Sequence, residues 1–129
     1  NTMAENKEYF TQEMENGSIQ ISEDVVASVT GMAVLEVEGV CGLSSTIGTD
    51  IAEMLGMKTL SKGVRLSSTE SGALRIDCDV VAKFGQNIFE LAKNVQENVK
   101  SSVESVTGLT VGEVNVTVCG IALPKEAKK

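Results

Sequence analysis

The chain has 129 residues, a formal net charge of −7 and no histidine. That length fits one domain able to bury about two-thirds of its unfolded surface. The acidic balance disfavours nucleic acid and anionic membranes, which recruit clustered Lys and Arg. Lack of histidine removes the commonest general base, the triads built on it and the usual zinc ligand. The cysteines Cys41, Cys78 and Cys119 are odd in number and far apart, with no C-x-x-C pair. This argues against a disulfide framework or structural zinc and for a reducing, cytoplasmic compartment.

Residues 1–16 are polar and acidic without lasting periodicity, and are expected to form a flexible N-terminal arm. Gly17 to Ser22 alternates, with Ile19 and Ile21 on one face of a short strand. Ser22 suits a helix N-cap, and Glu23 and Asp24 place negative charge at the positive end of the dipole. Val25, Val29, Met32, Ala33 and Val37 then recur at helical spacing, predicting a helix to about Glu38 that Gly39 ends.

Residues 39–63 are the least regular, and Asp50 to Leu55 is expected to make a helical turn or two. Leu43, Ile47, Ile51 and Leu55 lie at i, i+4 spacing, with Met54 and Met57 beside them. The plainer reading folds this stripe over the open end of the core. The functional reading makes Leu43, Ile47, Ile51, Met54, Leu55 and Met57 a candidate interface for a second copy or a partner.

Val64 and Leu66 alternate with Arg65 and Ser67, and Ser71-Gly72 makes a turn. Leu74, Ile76, Cys78 and Val80 then face opposite to Arg75, Asp77, Asp79 and Val81, which predicts an antiparallel hairpin with one buried face. Ile88, Leu91, Ala92, Val95, Val99, Val103 and Val106 form an apolar stripe on a helix of about 20 residues, closed by Gly108. In the last strand, Val114, Val116 and Val118 oppose Asn115 and Thr117.

The predicted order is β-α-β-β-α-β. Every apolar face is satisfied in an α+β two-layer sandwich, with two helices on one face of a four-stranded sheet. The domain spans 17–121, and 122–129 is a short basic tail. The opposite sheet face would be polar, carrying Gln20, Arg65, Arg75, Asp77, Asp79, Asn115 and Thr117. No secretory leader is visible, and no stretch approaches the ~20 apolar residues that span a bilayer.

Chemistry is sparse. Asp77 and Asp79 share a sheet face with Arg75 and are the best candidates for a small metal-dependent enzyme. The plainer reading is a solvated strand face. Gly39-Val40-Cys41-Gly42 follows a helix, whereas a phosphate cradle precedes one. Cys78 falls on an apolar face, where cysteine is a small hydrophobe. RNA binding on the open sheet would need stacking aromatics and basic surroundings, and that face has neither. No catalytic residue, cofactor or metal is therefore expected.

A set of ordered segments carries a resemblance. Gly17 to Ser22 leads into Val25-Val26, Ala33 and Val37-x-Gly39-Val40. Lys62-Gly63-Val64, Phe84-Gly85-x-Asn87-Ile88 and Asn94 to Val99 follow, then Thr107-Gly108-Leu109-x-Val111-x-x-Val114-Asn115-Val116. Together they resemble the alkaline shock protein family of Gram-positive bacteria, over about residues 17–121. Phe84 stands where the family usually has Tyr, and the segment from Ser44 to Lys58 is the least family-like. The resemblance implies a cytoplasmic, non-enzymatic protein linked to cell-envelope stress. Such a protein would self-associate and reach the membrane through a membrane-anchored partner without inserting itself.

Overall fold

The computed structural model describes residues 9–43 and 63–123. Along the chain lie β1 (Tyr9–Met14), β2 (Gly17–Ser22), α1 (Glu23–Leu35), β3 (Val40–Leu43), β4 (Val64–Ser68), β5 (Leu74–Lys83), α2 (Ile88–Thr107) and β6 (Val111–Ala122). The fold is α+β, as the patterning predicts, but two strands more are present than the sequence reading expects.

β5 organises the main sheet. Its side chains alternate strictly: Leu74, Ile76, Cys78, Val80 and Ala82 are buried, while Arg75, Asp77, Asp79 and Val81 are half-buried on the other face. β6 runs parallel along one edge of β5, from Leu74↔Val111 to Lys83↔Ala122. The other edge is shared by two short antiparallel strands, β4 beside Leu74–Cys78 and β3 beside Val80–Ala82. The predicted β4–β5 hairpin is present, its turn closed by Gly72 N–H donating to the Thr69 carbonyl at 3.0 Å.

The expected place of Gly17–Ser22 in this sheet is corrected. β2 pairs antiparallel with β1, from Tyr9↔Ser22 to Met14↔Gly17, as a separate two-stranded sheet. Residues 9–14, expected within a flexible arm, are strand because Phe10 and Ile21 face each other and pack on the core. Gln12 then ties the hairpin down by donating from Nε2 to the Gly108 carbonyl at 2.8 Å. A two-stranded hairpin is marginal by itself, and these contacts anchor it.

α1 starts as predicted, with the Ser22 hydroxyl accepting from Val25 N–H. It ends at Leu35 rather than near Glu38. The chain turns there because Val40 must enter β3, and Val40 N–H donates to the Val37 carbonyl at 3.2 Å within that turn. α2 is capped by the Asn87 side chain, which accepts from Glu90 N–H at 3.0 Å, and by Gly108 in the left-handed conformation. Leu91, Val95, Val99 and Val103 are its buried stripe. They meet Val26, Ala27, Ala33 and Val34 of α1 and the inner face of the sheet in one core. Asn98 crosses between the helices, donating to the Ala33 carbonyl at 2.8 Å.

Candidate functional site

The sheet face turned away from the helices carries the polar residues that the alternation predicts, except Gln20, which lies on β2 in the separate two-stranded sheet. Arg65 of β4 grips Asp79 of β5 with two hydrogen bonds, of 2.8 and 3.2 Å. The Arg65 guanidinium holds the Asp79 carboxyl below its usual range, and Asp79 in turn raises Arg65. Arg75 lies 3.3 Å from Glu113. Asn115 of β6 donates to Asp77 at 2.9 Å and to Glu113 at 3.1 Å, and this second bond is the main cause that lowers the Glu113 carboxyl.

The two carboxylates singled out from the sequence therefore share a strand face but have different partners. Asp79 is engaged by a guanidinium and Asp77 by an amide. Among the described residues no group of three or more His, Cys, Asp or Glu is arranged to hold a metal ion. An open depression of about 450 Å³ lies between the end of α1 and α2, rimmed by Glu36, Glu38, Glu97, Asn94 and Asn98. Its polar lining is carboxylates and amides, beside Val37, without a nucleophile next to a base.

The cysteines divide as their patterning suggests. Cys78 is fully buried, and burial pushes its thiol up to about 12. A thiol so raised stays protonated and inert at neutral pH. Cys41 and Cys119 are exposed, and Cys119 Sγ lies 3.4 Å from the Val80 carbonyl.

Of the candidate interface residues, Leu43 is fully buried at the end of β3, within the core. Ile47, Ile51, Met54, Leu55 and Met57 lie outside the described residues.

The sequence reading missed the outer edge of β6. Backbone hydrogen bonds fix its direction. Leu74 N–H donates to the Thr110 carbonyl, while Asp79 N–H donates to the Gly63 carbonyl, so even-numbered residues of β5 face β6 and odd-numbered ones face β4 and β3. In this parallel register Asn115 and Thr117 bond inward to β5, and Val114, Val116 and Val118 turn their N–H and C=O groups outward. Side chains of α2 cover the start of that edge. Lys100 donates to the Val111 carbonyl at 2.9 Å, Glu104 accepts from Val111 N–H at 2.9 Å, and Gln96 donates to the Val114 carbonyl at 3.0 Å. Beyond Val114, no described residue bonds the outward groups of Val116 and Val118. The signal was in the sequence: Val114 to Leu123 carries neither a charge nor a proline, two of the devices that protect edge strands, and the register shift between Val118 and Gly120 is the one such device on this stretch.

Residues 11–123 match the model of the alkaline shock protein 23 family, described as having a cell envelope-related function. The uncharacterised Streptococcus pyogenes protein Spy1614 is 38% identical over 113 residues, covering 86% of this chain and 93% of that protein. The uncharacterised Bacillus subtilis proteins YloU and YqhY are 36% and 30% identical, covering 81% and 88% of this chain and 88% and 83% of their own lengths. Among solved structures, a nickel form of MamM CTD overlays 75% of this chain and 96% of its own, with a TM-score of 0.46 and 14% identity. No helix among the described residues is long and apolar enough to cross a membrane.

Proposed function

Because the chain belongs to the alkaline shock protein 23 family, whose function is cell envelope-related, we propose that it is a non-enzymatic stress-response scaffold. It works in the cytoplasm by associating with itself and docking on a membrane-anchored partner. The family match over residues 11–123 carries this reading. The polar sheet face supports it, since the carboxylates that would do chemistry are engaged by Arg65 and Asn115. An acidic surface also fits recruitment by a protein better than by anionic lipid.

Sedimentation tests the docking. The protein is expected to pellet with native membranes and to stay in the supernatant with protein-free anionic vesicles. Pelleting with the bare vesicles would overturn the need for a partner. Replacing Ile51 and Leu55 by Asp tests whether the rest of the stripe, Ile47 to Met57, serves association. The substituted chain should associate more weakly and keep its helical circular dichroism. Unchanged association would remove the stripe from the proposal.

A further inference from the structure

The outer edge of β6 is a strand template whose geometry matches itself. Val116 and Val118 both present N–H and C=O groups outward, separated by Thr117, whose backbone bonds to β5. We infer that a second copy of this chain docks here, its β6 antiparallel to the first about a two-fold axis through Thr117. In that register Val116 exchanges both backbone bonds with Val118 of the second copy, and Val118 with its Val116. Thr117 lies beside its own equivalent at a non-hydrogen-bonded position, and the sheet continues across the axis. An isologous contact of this kind closes by symmetry.

Three observations favour a second copy as the occupant. A chain of net charge −7 repels its copies over most of its surface, but Val114 to Leu123 contains no charged residue, so close approach here opposes least repulsion. The outward groups occur in the symmetric pattern that antiparallel self-pairing requires, with bonding residues two apart around a non-bonding centre. Val116 and Val118 are only partly buried against the core, and each would gain the other as an apolar cross-strand neighbour on the helix side. Thr117 and Asn115 are exposed on the polar side and bring no like charges together.

The inference rests on the self-association proposed above, and it names one contact through which copies meet, separate from the stripe that carries Ile51 and Leu55. Disulfide trapping tests it in a chain whose exposed cysteines are removed by Cys41→Ser and Cys119→Ser. At the two-fold, non-hydrogen-bonded Cα atoms lie about 4.5 Å apart, within the range a disulfide spans. Thr117→Cys should therefore give a covalent dimer under mild oxidation. Ser67→Cys, on the same sheet face but on β4, should give at least tenfold less. Equal yields from the two positions, or no dimer from Thr117→Cys, would overturn the β6 contact. Light scattering of the unsubstituted chain separates the two levels. Association without trapping at Thr117 removes this edge and leaves self-association standing. A strict monomer removes both.

Discussion

Asp79 and Arg65 meet on the open sheet face with Arg65 largely in water, so the pair is worth well under about 1 kcal/mol despite its two-pronged geometry. Its pH dependence has a definite sign. The folded Asp79 carboxyl is depressed chiefly by its hydrogen bond to Arg65. The stabilisation is present above the unfolded value of about 3.9 and fades as pH falls through the lower folded value. Asp79→Asn should lower the melting temperature slightly at pH 7, and the difference should shrink as pH falls below about 3.9. A difference that does not shrink with falling pH would assign Asp79 another role. Ser28 makes the opposite case. Its hydroxyl is buried in α1, with no hydrogen-bond partner among the described residues. A buried hydroxyl without a partner costs free energy, and Ala is the better helix former. Ser28→Ala should be neutral or stabilising by up to about 1 kcal/mol in thermal unfolding, and a clear loss of stability would reveal a partner for Oγ.

Helix α2 shows how far a periodic pattern can be read. A 3.6-residue stripe held over many turns can bury only one face, so both ends and the core residues Leu91, Val95, Val99 and Val103 are legible. Val106 belongs to the same stripe but is 66% exposed, in the last turn before Gly108 ends the helix. Val99→Ala should cost about 2 kcal/mol through lost contact and a residual cavity, whereas Val106→Ala should stay within about 0.5 kcal/mol. Denaturant melts of the two variants check this, and equal losses would contradict the packing. Shorter elements are not legible. β3 is four residues long and includes Gly42, too brief for alternation to emerge, and β1 depends on Phe10 and Gln12 reaching partners distant in sequence. The placement of β2 is hidden for a related reason. Its alternation fits any sheet, and only β1 decides which. Gly39 marks the turn between α1 and β3 at φ +97°, and a Cβ there would fall 2.9 Å from Leu91 Cδ1 and closer still to Gln86. Gly39→Ala should therefore destabilise by about 2 kcal/mol or more, combining backbone strain with a clash in the core.

At the scale of the whole molecule, composition excludes more than it assigns. The missing histidine and the acidic balance narrow the chemistry by themselves, and the ordered Gly and Asn motifs point to the family. The candidate interface is legible only as an apolar stripe. Its first residue, Leu43, belongs to the core, which apolar spacing cannot distinguish from a surface. The β6 edge escapes a sequence reading because side-chain patterning reports faces of a sheet and is silent about its edges. Charge gives a further expectation. If copies at −7 each meet at an uncharged edge, raising salt from about 0.01 to 0.15 M shortens the screening length from roughly 30 to 8 Å, and association should tighten. Association that weakens with salt would point to ion pairs between copies instead.

The central claim, that this is a self-associating scaffold, is tested most directly by light scattering over a hundredfold range of concentration. The scaffold predicts a mass that climbs from 13.6 kDa toward that of a dimer as concentration rises. A mass held at 13.6 kDa throughout would contradict it.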